Sequence, residues 1–226
     1  MSLNEYNSNI TTYKETYGGG YGHVYPEGHL IRFNLHILKH ELGITNGKIF
    51  DFGCGTGAHL EYFKKNGFTP FGCDISEIAI NKCKERIPDC AENFHATEYL
   101  PDLVKKFGDN FDVIISNQVL YHFTDEHIKN LASQFYSMLK PGGVFFATYI
   151  LPTNLYHKFI VSKEGDLSKV VLKGRERATY FLNFKTTDEV IEIFNIFNKL
   201  HTGFYTHTLS EIEGPSDHMI YIGIKK

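Results

Sequence analysis

Three closely spaced glycines stand between two carboxylates, and this arrangement is typical of a site for a nucleotide-like ligand that carries a positive charge. Glycine lacks a Cβ atom and tolerates positive φ, so Gly53, Gly55 and Gly57 allow a tight turn that a ligand can approach closely. Asp51 precedes the turn, where a carboxylate suits a cation better than a pyrophosphate. Asp74 follows Gly57 by seventeen residues, close to where an acidic residue can bind two ribose hydroxyls.

The same residues allow other interpretations. Asp74 can instead be the N-cap of a helix that begins near Ser76-Glu77. The spacing of Gly53, Gly55 and Ala58 also satisfies the relaxed dinucleotide fingerprint. A NAD-dependent oxidoreductase therefore stays an alternative, although we find no catalytic Tyr/Lys or His/acid set for one in the sequence.

Alternating apolar strands and amphipathic helices must position these residues. We predict strands at 48–52, 69–74, 91–97, 111–117 and 144–150, with helices between them that include 77–86 and 125–139. A helix from Thr187 to about Leu200 and two antiparallel strands at 204–209 and 218–224 follow. The predicted fold class is an α/β, doubly wound, Rossmann-like sheet of seven strands, mostly parallel with an antiparallel last strand. Ligands bind such sheets at the carboxyl ends of the strands.

The 226 residues, 42% of them hydrophobic, are predicted to form a single domain over 1–226. We expect an N-terminal cover over 1–44, a cofactor-binding core over 45–150, a substrate-side insertion over 151–185, and a C-terminal helix with antiparallel strands over 186–226. The cover holds a predicted helix at 29–41. Before it lies a tyrosine- and glycine-rich segment that is either a mobile arm over the site or a loosely packed cover. The insertion is predicted as a lid-like hairpin of strands 168–172 and 178–184.

Composition restricts the classes of partner. The formal net charge of −3 gives no global attraction to nucleic acid or to an anionic membrane, so neither is expected as a partner. The four cysteines lack paired C-x-x-C spacing, which is typical of reduced, structural thiols in a cytoplasmic protein. We find neither a signal peptide nor a membrane-spanning run in the sequence. We therefore expect a cytoplasmic monomer or homodimer.

Several motifs together carry a resemblance to a known family. They are Phe50-Asp51-Phe52-Gly53-Cys54-Gly55-Thr56-Gly57, the strand end at Asp74, Phe111-Asp112-Val113-Ile114 with its tail Leu120-Tyr121-His122-Phe123, and Leu139-Lys140-Pro141-Gly142-Gly143. Over roughly residues 45–150, and again at the last two strands, the sequence resembles the class I S-adenosylmethionine (SAM)-dependent methyltransferases. This resemblance implies SAM as the cofactor and methyl transfer as the activity.

The resemblance also implies roles at the methionine and ribose ends of the cofactor. Asp51 would meet the ammonium group, and the turn Gly53-Cys54-Gly55 would let the cofactor lie across its backbone. Asp74 would hold the ribose hydroxyls. Asn117 and Gln118 would border the methionine tail.

At the adenine end, the resemblance implies that Ile75 packs on the ring and that Thr97 offers its backbone N–H. The family often has an acid for the adenine amino group where this sequence has Ala96. Either Glu98 substitutes for that acid or the contact is absent.

An N-terminal segment, Tyr25-Pro26-Glu27 followed by Arg32-Phe33, resembles the entrance segment of some relatives. There the arginine faces the cofactor carboxylate, which implies that Tyr25 and Arg32 contact the cofactor. Arg32 on an otherwise apolar helix is awkward to explain as packing. A side chain that extends to water while its stem covers apolar surface is the alternative.

Catalysis requires an aligned nucleophile and, for a hydroxyl acceptor, removal of its proton. His122 is the first candidate base, because imidazole titrates near neutrality and its loop follows the strand that borders the methyl group. A histidine here can also simply pack or bond to the backbone. His23 and Tyr21 are the other candidate catalytic residues, and no His/Cys/Asp cluster with metal-ligand spacing is found, so no metal is expected.

The acceptor is expected to be a small molecule. Asn117-Gln118-Val119-Leu120 is not the Asn/Asp-Pro-Pro-Tyr/Phe signature of enzymes that methylate adenine or glutamine amides. Lys158, Lys173, Arg175 and Arg177 in the insertion suggest phosphate, sulfate or carboxylate on the acceptor, or they face water. We expect an oxygen of a sugar-like or phosphorylated metabolite, with nitrogen left open. A cofactor-binding regulator without turnover is the non-enzymatic alternative.

Overall fold

Ten strands occur in the computed structural model, which describes residues 11–13, 15, 17–20, 22–98, 101–172, 179–208 and 214–226. They are β1 (Gly47–Phe52), β2 (Phe68–Asp74), β3 (Phe94–Ala96), β4 (Phe111–Ser116), β5 (Leu139–Ile150), β6 (Ile160–Glu164), β7 (Leu167–Val171), β8 (Thr179–Leu182), β9 (Asn198–Thr206) and β10 (Asp217–Ile224). Seven of them form one sheet in the order β3-β2-β1-β4-β5-β10-β9, and β6-β7-β8 form a second sheet.

Helices connect most of these strands. They are α1 (Gly28–Arg32, continued by the π-helix Phe33–Glu41), α2 (Ala58–Lys65), α3 (Glu77–Arg86), α4 (Leu103–Phe107), α5 (Asp125–Met138) and α6 (Thr187–Ile193). Local sequence explains where two of them begin. The Ser76 hydroxyl accepts a hydrogen bond from the Ala79 N–H at the start of α3, and Thr186 with Glu189 forms a capping box at the start of α6.

The pairing pattern confirms the predicted fold class. β1 pairs in parallel with β2 and β4, β2 with β3, and β4 with β5, whereas β10 is antiparallel to both β5 and β9. All six residues of β4 are buried, as expected for a central parallel strand covered on both faces. The strand order reverses between β1 and β4, and this switch point is where such sheets bind ligands.

The first helix differs from the regular helix predicted over 29–41. From Phe33 onward it is a π-helix, and the Leu42 N–H donates to the Ile37 carbonyl five residues earlier. The wider turn brings Phe33 and Leu38, which are five residues apart, onto one buried face, together with Leu30. Packing of this face against the sheet therefore accounts for the local departure from α-helical geometry.

Three other elements also differ from prediction. The strand expected at 91–97 is shortened to β3, because Pro88–Asn93 forms a 3-10 turn. The helix expected to reach Leu200 ends at Ile193, and β9 starts at Asn198 instead of residue 204, because that segment pairs along β10. The predicted hairpin is a three-stranded sheet whose first strand, β6, was missed; the predicted turn at Lys173-Gly174 lies outside the described residues.

Two hydrophobic clusters pack on the two faces of the main sheet. One contains Phe135, Phe145 and Phe194, and the other contains Leu30, Phe33 and Phe146. Phe145 and Phe146 are adjacent in β5, so their side chains point to opposite faces and join different clusters. Among the described residues, no helix has the length and apolar character needed to cross a membrane.

Candidate active site

A cavity of about 590 Å³ opens at the carboxyl ends of β1, β2 and β4. Most of the residues predicted for the site line it. Those that do are His23, Gly53, Cys54, Gly55, Asp74, Ile75, Thr97, Glu98, Asn117, Gln118 and His122. Residues from five separate stretches of the chain therefore meet at one cavity, as the strand-end prediction required.

The glycine turn is tied to the neighbouring strand. The N–H groups of Gly53 and Cys54 both donate to the Cys73 carbonyl, at 2.8 and 2.9 Å. Gly53 has φ of +83°, and a Cβ atom there would lie 2.3 Å from the Val119 side chain. Only glycine fits this position, so the turn keeps its backbone open towards the cavity.

Asp74 accepts hydrogen bonds from two backbone donors, one in the glycine turn and one at the start of α3. Its Oδ2 accepts from the Gly55 N–H at 3.0 Å, and its Oδ1 accepts from the Ser76 N–H at 2.9 Å. Ser76, not Asp74, is the N-cap of α3, so the capping alternative for Asp74 is wrong. Burial raises the pKa of Asp74, while the N–H groups of Ser76, Gly55 and Ile75 oppose that rise. Each carboxylate oxygen retains a second lone pair for a ligand hydroxyl.

Asp51 is buried, with 1% of its surface exposed, and neither carboxylate oxygen has a hydrogen-bond partner in the structure. Nδ1 of His59 lies 3.9 Å from Oδ2. Burial, reinforced by the nearby Asp74, raises the pKa of Asp51 well above its ordinary value. An unpartnered buried carboxylate costs free energy, and a cationic ligand or donor in the adjacent cavity would recover that cost.

His122 forms a dyad with Tyr13 at the other end of the cavity. The Tyr13 hydroxyl lies 2.7 Å from Nε2 of His122, and both residues line the cavity. Burial lowers the pKa of His122 to about 4, against an opposing contact with the Phe181 backbone. The imidazole is therefore neutral at pH 7 and can accept a proton. Sequence reasoning missed Tyr13, because nothing in the spacing of the N-terminal tyrosines distinguishes it.

For four other predicted site residues, the structure does not show the predicted contact. Tyr25 is 79% exposed and Arg32 is also exposed, and neither lines the cavity. The Thr97 N–H donates to the Asp74 carbonyl at 3.0 Å, so it is not available to the adenine ring as predicted. Tyr21 lies outside the described residues.

A polar cluster beside the cavity was also missed. Glu27, which is largely buried, accepts hydrogen bonds from the side-chain amides of Asn117 and, at 3.0 Å, Gln118. Nε2 of His29 lies 2.8 Å from the Asn117 Oδ1. Burial acts to raise the pKa of Glu27, but His29, His59 and the Asn117 amide lower it below its ordinary value overall. These contacts join α1 to the end of β4, a pairing that no local sequence pattern reveals.

Gln118 has a strained backbone at this junction. Its φ is +60°, which is unusual for a residue other than glycine, and its N–H donates to the Thr148 hydroxyl at 2.7 Å. Such conformations concentrate at functional sites, where the surrounding contacts hold them.

The half of the cavity around His122 is aromatic. The rings that line it belong to Tyr13, Tyr121, Phe123, Tyr156 and Tyr180, whereas the Tyr17 hydroxyl lies against Gly55 in the glycine turn. No lysine or arginine occurs among the described residues that line the cavity. Lys173, Arg175 and Arg177 lie outside the described residues.

Comparison with known proteins identifies the family. A family model described as a methyltransferase domain matches residues 27–195, which include the glycine turn, Asp74 and the His122 loop. The chain belongs to the class I SAM-dependent methyltransferases. SAM is the cofactor of this family, so the predicted resemblance is confirmed.

Curated relatives of this methyltransferase include O- and N-methyltransferases. The human mitochondrial ubiquinone biosynthesis O-methyltransferase is 26% identical over 171 residues, which cover 72% of this chain and 46% of that protein. The dTDP-3-amino-3,4,6-trideoxy-alpha-D-glucopyranose N,N-dimethyltransferase of Streptomyces venezuelae is 32% identical over 99 residues, which cover 42% of this chain and 39% of that enzyme. The chain spans about half the length of the curated relatives it matches.

A solved structure shows the same fold as this methyltransferase. It is the 1,6-didemethyltoxoflavin-N1-methyltransferase of Burkholderia thailandensis, with bound 1,6-didemethyltoxoflavin and S-adenosylhomocysteine. The TM-score is 0.65 at 17% identity, and the match covers 100% of this chain and 91% of the other.

Proposed function

We propose that this protein transfers a methyl group from SAM to an oxygen of a small-molecule acceptor held in the aromatic half of the cavity. One observation carries the proposal. A single cavity joins the glycine turn and Asp74 at one end to the Tyr13–His122 dyad at the other. A donor site and a proton-accepting group therefore share one enclosed space, which is the arrangement that methylation of a hydroxyl requires.

The residues around the glycine turn fit the cofactor. Asp51 offers two unpartnered carboxylate oxygens to the ammonium group, and Asp74 keeps acceptor capacity for the ribose hydroxyls. Gly53 leaves the backbone approachable, and Asn117 with Gln118 forms the wall beside the methionine end. SAM supplies the electrophilic methyl group on its sulfonium.

At the adenine end, we propose that Ile75 packs on the ring and that Glu98, which lines the cavity, receives the adenine amino group. Glu98 is exposed and lies at the cavity wall, so it can adopt the rotamer that this contact needs. Ile75 follows Asp74 directly, which places its apolar side chain next to the ribose site.

His122 acts as the base in this proposal, with Tyr13 as a relay. The acceptor hydroxyl gives its proton to the Tyr13 oxygen while the Tyr13 proton moves to Nε2 of His122, so charge builds up on neither tyrosine nor solvent. The lowered pKa of His122 keeps the imidazole neutral at neutral pH, and the relay uses the tautomer in which Nε2 carries no proton. The surrounding aromatic rings keep water from the exchanged proton.

The cavity lining favours an acceptor with an uncharged, flat body. Tyrosine and phenylalanine rings can stack on a flat ring of the acceptor. The described residues that line the cavity include no lysine or arginine that could bind a phosphate. The expectation of a sugar-like or phosphorylated acceptor gains no support from these residues. An aromatic or heteroaromatic hydroxyl compound suits this lining. Of the compared proteins, one is named for ubiquinone biosynthesis and another for methylation of 1,6-didemethyltoxoflavin.

The donor half of the proposal is tested by calorimetry. S-adenosylhomocysteine should bind with one site per chain, whereas NADH should give no heat of binding. Binding of NADH without S-adenosylhomocysteine would overturn the proposal in favour of an oxidoreductase.

The acceptor half is tested with SAM carrying a labelled methyl group and a panel of phenolic and heteroaromatic hydroxyl compounds. His122→Gln and Tyr13→Phe should each lower kcat by about 10²–10⁴, the range for a lost general base, with little change in S-adenosylhomocysteine affinity. The exposed His36→Gln serves as the control. Cofactor binding without product from any acceptor would favour the regulator alternative.

A further inference from the structure

Glu27, His29 and His207 form a three-residue cluster, here called the Glu27 cluster, that the methyl-transfer proposal does not use. Each side chain offers one ligand atom, and the three atoms lie within 4.8 Å of one another. Nε2 of His29 lies 3.7 Å from the Glu27 Oε2, and Nε2 of His207 lies 3.5 Å from the Glu27 Oε1. Glu27 and His29 are largely buried, whereas His207 is about half exposed and closes the cluster from the solvent side.

The fold brings these ligand atoms together from distant parts of the chain. Glu27 is the N-cap residue of α1, His29 lies in its first turn, and His207 follows the last residue of β9. The His29 ring stacks on Tyr205 with centroids 4.1 Å apart, which fixes the direction of its ring nitrogens. The cluster is therefore preorganised by packing on two elements.

A fourth side chain points independently to a missing partner. His59, from the start of α2, is 8% exposed, and its Nε2 has no hydrogen-bond partner in the structure. That nitrogen lies 3.8 Å from the Glu27 Oε2. A buried imidazole nitrogen without a partner costs free energy, and it is directed at the carboxylate that the two other histidines share.

We propose that Glu27, His29 and His207 bind one divalent transition-metal ion of the Zn²⁺ class, with His59 able to supply a fourth ligand. Two imidazoles and one carboxylate are a ligand set that zinc takes in proteins, and the same set binds Fe²⁺ and Co²⁺. On binding, Nε2 of His29 exchanges its contact with Asn117 for the metal.

The location gives the ion a positioning role. Asn117 and Gln118 line the cavity, and both donate their side-chain amides to Glu27. An ion on Glu27 therefore fixes the carboxylate that orients these two amides. It also joins the start of α1 to the end of β9 beside the cavity.

The test uses the untagged protein, freed of metal by a chelator and then titrated with Co²⁺ and Zn²⁺. We expect one Co²⁺ per chain with the intense visible absorption of a four- or five-coordinate site, displaced by Zn²⁺. His207→Ala should weaken Zn²⁺ binding at least tenfold. His201→Ala is the matched control, since His201 lies on the same β9 strand but contacts Glu41 away from the cluster.

Because His207 is partly exposed, its alanine variant should keep the fold, which circular dichroism checks. Glu27→Gln is the second variant, and it should lose the Co²⁺ absorption while keeping the size of the side chain. A Co²⁺ spectrum that matches the hydrated ion would overturn the proposal. So would equal Zn²⁺ affinities of the His207→Ala and His201→Ala proteins.

Discussion

The two acidic residues beside the glycine turn, Asp51 and Asp74, differ in their hydrogen bonding. Asp74 accepts hydrogen bonds from Gly55 and Ser76, whereas neither carboxylate oxygen of Asp51 has a hydrogen-bond partner in the structure. Each is buried, and the charge of Asp74 adds to the raised pKa of Asp51. A ligand with one positive centre near Asp51 and a diol near Asp74 satisfies both, which is the charge pattern of a sulfonium nucleoside with an amino acid tail.

The role of Asp74 can be tested by Asp74→Ala. We expect the affinity for S-adenosylhomocysteine to fall by about 1–3 kcal/mol, the cost of stranding buried hydrogen-bond partners, or about fivefold to 150-fold in Kd. Calorimetry measures the change. Asp89→Ala is the control, because Asp89 is an exposed partner of Lys64. Unchanged affinity in Asp74→Ala would remove Asp74 from the cofactor site.

The sequence allowed prediction of the site residues that lie at the ends of recognisable strands. Asp51, Asp74 and Asn117 follow apolar runs directly, so strand periodicity alone places them at one edge of the sheet. Tyr13 and the Glu27 cluster could not be predicted this way. Their partners are distant in sequence, with Tyr13 and His122 separated by 109 positions, and only tertiary packing brings them together.

Among the elements, the glycine turn is closed by contact with α3. Gly57 has φ of +81°, and a Cβ atom there would lie 2.5 Å from the Cys83 sulfur. Gly142 has a similar φ of +77°, but nothing lies within 4 Å of its Cβ position. Comparing alanine variants of Gly57 and Gly142 therefore distinguishes the cost of backbone strain, which both share, from the cost of steric overlap, which only Gly57 has.

We predict that Gly57→Ala lowers the free energy of unfolding more than Gly142→Ala does, by about 1–3 kcal/mol. Both variants carry the left-handed penalty of about 1–2 kcal/mol, and only Gly57→Ala adds the overlap with Cys83. Chemical denaturation measures both. Adding Cys83→Ala should recover part of the Gly57→Ala loss, and equal losses for the two glycine variants would contradict the steric argument.

The N-terminal segment is held on α3 by two cationic side chains. Lys82 donates to the Tyr17 carbonyl at 2.9 Å, and Arg86 donates to the carbonyls of Val24 and His23 at 3.0 and 3.1 Å. These contacts keep the segment against the cavity, where Tyr13 meets His122.

We predict that the double variant Lys82→Ala, Arg86→Ala speeds hydrogen exchange about tenfold in peptides that contain Tyr13 and Tyr17, and lowers kcat. Loss of three hydrogen bonds to charged donors, discounted for solvent, accounts for that factor. Mass spectrometry measures the exchange. Lys84→Ala on the same helix is the control, and exchange equal to that of the control would show that other contacts hold the segment.

Helices and strands were predicted correctly where all local sequence signals favoured the same secondary structure. The run from Glu77 to Arg86 forms a helix over the predicted bounds, because a cap and an amphipathic pattern agree. The segment around Leu200 has helical spacing, yet it forms β9, since pairing with β10 satisfies its backbone. The π-helix in α1 was likewise set by packing of Phe33 and Leu38 on the sheet, which no local sequence pattern encodes.

For the whole molecule, folding buries several histidines in neutral form. Burial lowers the pKa values of His59, His122 and His218 to about 4. The unfolded chain has its ordinary value of 6.5, so it binds more protons than the folded protein between pH 6.5 and 4. The stability that these groups contribute is complete above pH 6.5 and is lost as the pH falls towards 4.

His218 offers the clearest test of this acid sensitivity. Its Nδ1 lies 3.0 Å from the Ser216 carbonyl, a contact that raises its pKa but is outweighed by burial, and an asparagine side chain can keep that donor. The free energy of unfolding of the wild type should fall more steeply than that of His218→Asn between pH 6.5 and 4. The two slopes of unfolding free energy against pH should differ by up to about 1.4 kcal/mol per pH unit, because the His218→Asn protein takes up one proton fewer on unfolding than the wild type does. Guanidinium denaturation at pH 7 and pH 5 measures it, with the exposed His36→Asn as control. Equal slopes in wild type and His218→Asn would show that the folded protein already carries this proton, and that burial of His218 does not hold it neutral.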